Sequence, residues 1–518
     1  MGRQIHILWT DDEIDLLKPY ILFLEEKEYK VSTATNGTDA IRLVQENSFD
    51  LIFLDENMPG LSGLETLESI KAIAPSTPVV MITKNEEEDI MDEALGNKIS
   101  DYLIKPVNPK QILLTIKKNI DTKRLVTQKI TSSYQSQFSQ LGMEINSAAQ
   151  FDQWVEIYRR LVYWEMEFST GGTEGMEDVL RLQKVEANKE FARYIRTHYQ
   201  KWFQQGERET PLLSPGVFKQ KVFPILQQEQ VVVVIMDNLR FDQWKVIEQE
   251  LGDLYRTDEE EIYASILPTA TQFARNAMFS GMMPLEIQER YPRLWVDEAD
   301  EGGKNTFEEE LCTAQMQRAG IRKTFNYAKI SNQRAGKKLV ENYKDLLNFD
   351  LNVLVYNFVD MLSHARTEME MIRELAYNES SYRSLVQSWF QNSYLFELLK
   401  LLSQHEIRLV ITTDHGSVRV NNPLKVIGDR RTSVNLRYKQ GKNLNYNPKE
   451  VFEISRPESI GLPRANVSTS YIFAMNNDFM VYPNNYNHFV NLYRNTFQHG
   501  GISMEEMLIP VCTLSPVR

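Results

Sequence analysis

The stretch Arg408-Leu-Val-Ile-Thr-Thr-Asp-His-Gly416 is an apolar run that ends abruptly in a carboxylate and an imidazole. A short buried strand ending in Asp414 and His415 sets two metal-ligand groups at its carboxyl end, the edge where open α/β sheets keep their sites. Two further apolar runs end in the same way. Val231-Val-Val-Val-Ile-Met236 stops in Asp237-Asn238, and Leu351–Val359 stops at Asp360, with His364 four residues on. A fourth candidate loop, His499-Gly-Gly-Ile-Ser503, precedes Glu505-Glu506 and the apolar run Met507–Val511. The other histidines, His6, His198, His405 and His488, have no carboxylate arrangement around them, and His198 on an aromatic helical stripe reads as a core or rim residue. Together Asp237, Asp360, His364, Asp414, His415 and His499 supply enough ligands for two first-row divalent ions. A set without thiolates suits Zn²⁺, with Mn²⁺ as the alternative, and two neighbouring metals imply hydrolytic chemistry.

The 518 residues exceed one ordinary core and predict three or four domains. A net charge of −13 excludes wholesale coating of nucleic acid and leaves room only for a local basic site. The two cysteines, Cys312 and Cys512, lie far apart, so neither a disulfide framework nor a CxxC metal site is expected, which suits a reducing compartment. The chain runs directly into Ile5-His-Ile-Leu-Trp9 without a leader pattern, and no apolar run reaches membrane-spanning length. A cytoplasmic location without a membrane partner is the expectation.

Residues 1–122 alternate short apolar runs with helical patterns, the signature of a parallel sheet with crossover helices. The runs Ile5–Trp9, Asp50–Leu54, Val79–Thr83 and Asp101–Ile104 are followed by Asp11-Asp12, Asp55, Thr83 and Lys105-Pro106, which converge on one rim of such a sheet. Three carboxylates in one place repel unless a hard cation such as Mg²⁺ sits among them, and a threonine and a lysine then suit phosphoryl oxygens. Through Trp9-Thr-Asp-Asp-Glu13, Leu54-Asp-Glu-Asn-Met-Pro-Gly60, Ile82-Thr83 and Tyr102-Leu-Ile-Lys-Pro106 the segment resembles the receiver domain of two-component response regulators. That resemblance implies a flavodoxin-like parallel sheet, Asp55 as phospho-acceptor, Mg²⁺ among Asp11, Asp12 and Asp55, and a switch formed by Thr83, Tyr102 and Lys105. It also implies a sensor histidine kinase as partner and a phosphorylation-dependent homodimer. Lys84 stands where receivers usually carry a small residue.

Residues 123–228 read as a helical bundle linker. Trp154, Ile157, Tyr158, Leu161 and Val162 form one stripe and Phe191, Tyr194, Ile195, Tyr199 and Trp202 another, both at helical spacing, so the two helices should pack together.

Residues 229–518 carry the metal-ligand loops and Leu267-Pro-Thr-Ala-Thr-Gln-Phe-Ala-Arg-Asn-Ala-Met-Phe-Ser-Gly281. There Thr269 is the expected helix cap, and Thr271 in the first turn keeps its hydroxyl free beside backbone N–H groups that favour anions. A metal would lower the pKa of that hydroxyl enough for attack on phosphorus. The segment resembles the PglZ branch of the alkaline phosphatase superfamily through Asp237-Asn, Pro268-Thr-Ala-Thr271, Asp360-x-x-x-His364, Thr413-Asp-His-Gly416 and His499-Gly-Gly. By that resemblance Asp360, His364 and His499 hold one zinc, Asp237, Thr271, Asp414 and His415 hold the other, and Thr271 is the nucleophile. The order receiver, helical bundle, PglZ-type domain resembles the PorX-type regulators, which implies control of type IX secretion genes and a transcription partner such as a sigma factor.

A basic tract follows the central motif: Arg419, Lys425, Arg430, Arg431, Arg437, Lys439 and Lys442. In an acidic chain it reads as a grip on a polyanion, with Arg430 and Arg431 foremost and Tyr438 stacking on a base. The expectation is a multidomain α/β response regulator with a metal-dependent phosphodiesterase acting on oligonucleotides or cyclic nucleotides. The alternatives are a scaffold that uses the metal domain for docking, and a phosphomutase or monoesterase of the same superfamily.

Overall fold

The structure, a computed structural model, describes residues 4–75, 77–84, 99–171, 176–204, 209–297, 300, 302–428, 432–464 and 466–517. The chain forms two compact units, residues 1–135 with 171–173, and residues 136–170 with 174–518.

In the first unit strands β1 (His6–Thr10), β2 (Lys30–Ala34), β3 (Leu51–Asp55), β4 (Val79–Thr83) and β5 (Asp101–Ile104) form one sheet in the order β2-β1-β3-β4-β5. All neighbours are parallel. Every residue of β3 and β4 is buried, which is why both read as continuous apolar runs rather than alternating ones. Trp9, Phe53, Val80 and Ile82 pack into one core cluster, and Leu8, Ile52, Leu54 and Met81 into another, as alternation along strands dictates. Because the strands run the same way, Asp11 beyond β1 and Asp55 ending β3 meet at one edge.

In the second unit the two aromatic stripes lie on helices Phe151–Gly171 and Met176–His198 and meet as expected, Trp154 edge-on to Phe191 with centroids 5.5 Å apart. His198 stacks on Tyr194 at 4.3 Å, and its Nδ1 bonds the Tyr194 carbonyl over 2.9 Å, a packing role. The principal sheet contains β6 (Val231–Met236), β7 (Tyr255–Ala264), β8 (Phe325–Ile330), β9 (Leu351–Tyr356) and β10 (Arg408–Thr412). Beyond the short strands β11 (Val418–Arg419), β12 (Asn422–Lys425), β13 (Tyr438–Gly441), β14 (Val451–Ile454), β15 (Ser470–Ala474), β16 (Asp478–Val481) and β17 (Phe497–Gln498), the chain returns to it as β18 (Leu508–Pro516). The order is β7-β18-β10-β6-β9-β8, and β18 runs opposite to the other five strands, antiparallel to both β7 and β10.

This topology decides where the chemistry gathers. The carboxyl ends of β6, β9, β10 and β7 share one edge with the start of β18. Asp237, Asp360, Asp414, Thr271 and His499 follow or precede those ends, and so converge.

One boundary differs from expectation. The third apolar run is strand only to Tyr356, and Phe358–Glu368 is a helix with Asp360 in its first turn. After Asn357 the buried residues Val359 and Leu362 are spaced three apart, and Phe358 stacks on Trp389 with rings 4.1 Å apart. Asp360 and His364 are therefore one helical turn apart on the same face.

Candidate active site and acidic pocket

In the first unit the carboxylate oxygens of Asp11, Asp12 and Asp55 lie within 4.8 Å of one another. Lys105 Nζ stands 2.9 Å from Asp11 Oδ2 and 3.0 Å from Asp55 Oδ1. Burial pushes Asp55 up to about 6, the Lys105 hydrogen bond opposes this, and the Asp11 charge adds to it. Burial acts to lower Lys105, but its hydrogen bonds to Asp11 and Asp55 outweigh this and leave it raised. A cation among the three carboxylates would relieve their repulsion, so the donor set fits a hard divalent ion. The Thr83 hydroxyl bonds the Glu56 carboxylate, Tyr102 is 42% exposed, and Lys84 points along the rim 4.0 Å from Glu13.

In the second unit two ligand groups form. Asp237, Asp414 and His415 are wholly buried, and Asp360, His364 and His499 are the more open group, each with donor atoms within 4.8 Å. His415 Nε2 lies 3.7 Å from both Asp237 Oδ1 and Asp414 Oδ2, and the Thr271 hydroxyl stands 3.1 Å from His415 Nε2 and 3.4 Å from Asp237 Oδ1. Across from it, Asp360 lies 3.7 Å from His499 Nε2 and 3.5 Å from His364 Nε2. The His415 and His499 rings stack with centroids 4.3 Å apart, which brings the two groups face to face.

Both rings are oriented from behind. His415 Nδ1 is 3.2 Å from the Gly416 carbonyl and His499 Nδ1 is 3.2 Å from the Thr269 carbonyl. A carbonyl only accepts, so each Nδ1 carries the proton and each Nε2 presents a lone pair to the centre. Burial, and next the His499 charge, lower His415 to about 3, so it stays a neutral donor. Asp414 Oδ1 is buried with no hydrogen-bond partner, while Oδ2 is held by Arg275. An orphaned buried carboxylate oxygen, in a ligand group that also holds a neutral imidazole and a hydroxyl, fits a divalent cation.

Three family descriptions match the chain in order. "Response regulator receiver domain" matches residues 7–117, "PorX response regulator linker domain" 124–203, and "BREX system PglZ alkaline phosphatase-like domain" 217–514, more than half of the chain. The chain belongs to the PglZ alkaline phosphatase-like family. The three matches together are those of a PorX-type response regulator. The chain is similar to the transcriptional regulatory protein ZraR of Klebsiella oxytoca, 36% identical over 141 residues, 27% of this chain and 32% of that protein. It is also similar to the transcriptional regulatory protein ResD of Bacillus subtilis (strain 168), 34% identical over 115 residues, 22% of this chain and 48% of that protein. Among solved structures, a response regulator receiver domain protein from Clostridium thermocellum is 33% identical, with 23% of this chain and 98% of that chain covered at a TM-score of 0.22. The chain thus spans 32% and 48% of the length of these two curated relatives. Among the described residues no helix is long and apolar enough to cross a membrane.

The PglZ domain also uses residues that the sequence patterns did not single out. Arg275, wholly buried, pairs with Asp237, with Asp414 at 3.1 Å and with Glu308 at 3.3 Å. It stands one helical turn after Thr271, a spacing that could have flagged it. Arg437 and Glu506, both fully buried, pair at 2.5 Å, and Gly501 N bonds Glu506 Oε1 over 2.9 Å, which fixes the loop that carries His499.

Two expectations fail in the PglZ domain. The helix that starts at Thr271 has no side-chain cap, because the Thr269 hydroxyl instead bonds Gly501 O at 2.9 Å and Gly500 N at 3.0 Å. The basic tract is not one exposed grip: Arg437 and Lys439 are buried, Lys439 against the Tyr482 ring at 4.5 Å, and Tyr438 packs edge-on to Phe273 at 5.8 Å rather than facing a ligand. Arg430 and Arg431 lie outside the described residues.

Proposed function

We propose that the PglZ domain is a two-metal phosphodiesterase with Thr271 as nucleophile, acting on oligonucleotide or cyclic nucleotide phosphodiesters. The reading rests above all on the Thr271 hydroxyl standing 3.1 Å from His415 Nε2 beside two facing ligand groups. Asp237, Thr271, Asp414 and His415 would hold one Zn²⁺, and Asp360, His364 and His499 the other. Metal ions bound there supply Lewis-acid stabilisation of phosphoryl oxygens and a lowered hydroxyl pKa. Thr271 Oγ loses its proton and attacks phosphorus in line, the ester P–O bond breaks, and the alcohol departs with a proton. Water then cleaves the phosphothreonine, so two inversions retain configuration at phosphorus. Arg430 and Arg431 are proposed to grip the polyanion.

Receiver domains are phosphorylated by sensor histidine kinases, and we read Asp55 as the acceptor here, with Mg²⁺ held by Asp11, Asp12 and Asp55 and the switch carried by Thr83, Tyr102 and Lys105. The PorX-type match supports a role in type IX secretion, in the cytoplasm, with a phosphorylation-dependent homodimer and a transcription partner such as a sigma factor. The test is hydrolysis of bis-(p-nitrophenyl) phosphate. Thr271→Val and chelation should each abolish turnover that wild type shows with Zn²⁺. Turnover surviving both treatments would sink the reading, and faster release from a nitrophenyl monoester than from the diester would make the domain a monoesterase.

A further inference from the structure

Asn238 follows Asp237 at the end of β6, is closed to solvent, and has a left-handed backbone at φ 65°. Its side chain leaves the strand it follows and crosses to the helix that continues β9. There Nδ2 donates to Asp360 Oδ1 over 3.3 Å and to Ser363 Oγ over 3.2 Å, and Ser363 Oγ in turn donates to the Asp360 carbonyl over 2.8 Å. On the other side, Leu239 N donates to Thr413 Oγ1 over 3.0 Å, which pins the same turn to the end of β10. Consecutive residues thus serve both ligand groups: Asp237 belongs to the buried one, and Asn238 holds the carboxylate of the open one.

The orientation of the amide follows from its partner. A carboxylate oxygen only accepts, so the amide turns its nitrogen to Asp360, since its carbonyl there would set acceptor against acceptor. In consequence Asn238 Oδ1 is buried without a hydrogen-bond partner. A buried acceptor left unmet costs folding free energy, and asparagine is one of the few residues besides glycine that takes a left-handed turn readily. Position 238 therefore suits a residue kept for its two donors rather than for stability.

The two ligand groups are braced differently. Arg275 holds Asp237 and Asp414 of the buried group by ion pairs. Among the described residues no lysine or arginine pairs with Asp360, and outside the ligand set Asn238 is the one hydrogen-bond donor to its carboxylate. Asp360 is also the single carboxylate in a group whose other members are imidazoles, so it alone brings negative charge to an ion there. A cationic partner would offset that charge, whereas an amide orients the oxygens and leaves the charge to the ion. Asp360 Oδ1, the oxygen that Asn238 holds, lies 3.7 Å from His499 Nε2, and Oδ2 lies 3.5 Å from His364 Nε2, so a rotated carboxylate would lose both alignments.

We propose that Asn238 is a positioning residue that sets the affinity of the open group, Asp360, His364 and His499, for its ion. It acts through Asp360 and is not itself a ligand. The proposal rests on the two-metal reading of the site.

Titration of cobalt(II) into the metal-free full chain tests this, read by visible absorption and by equivalents bound in dialysis. Wild type should bind two equivalents. His364→Ala, which removes a ligand of the open group, marks the equivalent that belongs there. Asn238→Gly keeps the left-handed backbone and removes both donors, so it should weaken that same equivalent about 10–100-fold and leave the other unchanged. Ser363→Ala keeps the amide and removes the hydroxyl that anchors it, and should weaken the same equivalent about threefold. The melting temperature of each metal-free variant checks its fold, and Ser363→Ala decides the question if Asn238→Gly does not fold. Wild-type affinity for both equivalents in the deciding variant overturns the proposal. So does equal weakening of both, which would reduce Asn238 to general support of the fold. Wild type that binds fewer than two equivalents overturns the two-metal reading, and the proposal with it.

Discussion

Arg275 Nε donates to Asp414 Oδ2 over 3.1 Å, and both side chains are closed to solvent. The same guanidinium pairs with Asp237 and Glu308, so one side chain ties the ends of β6 and β10 to the helix that begins at Thr271. It holds Asp237 through Oδ2, which leaves Asp237 Oδ1 to Thr271 and His415, and it holds Asp414 through Oδ2, whose sister oxygen Oδ1 is buried without a hydrogen-bond partner. Breaking a buried pair by removing one partner costs about 3–5 kcal/mol. Arg275→Gln should lower the urea midpoint accordingly and reduce the zinc retained per chain, measured by denaturation and elemental analysis. Unchanged stability with full metal content would show that the guanidinium only fills space.

Gly416 permits the backbone of the Asp-His turn to pass close to the last loop. A Cβ there would lie 2.1 Å from the Glu505 carbonyl oxygen, a backbone atom that cannot swing away. Gly416→Ala should destabilise the second unit by about 1–3 kcal/mol, the usual cost of overpacking. It should also displace His415 and weaken metal binding. Thermal melting and metal titration read the two effects, and a variant with wild-type values in both would contradict the close approach.

The buried ion network of Arg240, Asp242, Glu165, Lys184 and Arg383 makes stability depend on pH. Burial acts to raise Asp242 and Glu165, but the charges of Arg240 and Arg383 on Asp242, and of Lys184 and Arg383 on Glu165, hold both below their usual values of 3.8 and 4.5. A carboxylate lowered in the folded state contributes stability that is full above its unfolded pKa and is lost as pH falls through the folded one. Urea midpoints should therefore be steady from neutrality down to about pH 5 and fall below it. Asp242→Asn should be less stable at neutral pH and show a shallower acid slope. An equally steep slope in that variant would place the titrating groups elsewhere.

In the first unit, the crowding of Asp11, Asp12 and Asp55 should make folding responsive to a hard cation. Mg²⁺ at about a hundred times its dissociation constant would stabilise the unit by about 2.7 kcal/mol. The melting transition should rise with Mg²⁺ in wild type and not in Asp11→Asn, and Asp55→Asn should lose labelling by acetyl phosphate. A Mg²⁺ response that persists in Asp11→Asn would rule that carboxylate out.

Much of this was legible along the chain because the signals are local. Val231–Met236 and Arg408–Thr412 announce buried parallel strands by unbroken apolar runs, and the polar residues that stop them mark the edge where chemistry collects. The aromatic stripes of Phe151–Gly171 and Met176–His198 likewise predicted a packed helix pair. Less legible was Asp360, whose strand turned into a helix because Phe358 found Trp389 and the buried positions changed period.

The sequence by itself determined the order of the folded parts, the strand ends and the acids and imidazoles placed there, since apolar period and chain-end chemistry are written in consecutive residues. Tertiary structure alone decided which charges are spent internally. Arg275 meets Asp414 across 139 positions and Arg437 meets Glu506 across 69. A guanidinium that looks free in the sequence is therefore free only if no distant carboxylate reaches it. That is why Arg437 became part of the scaffold behind His499.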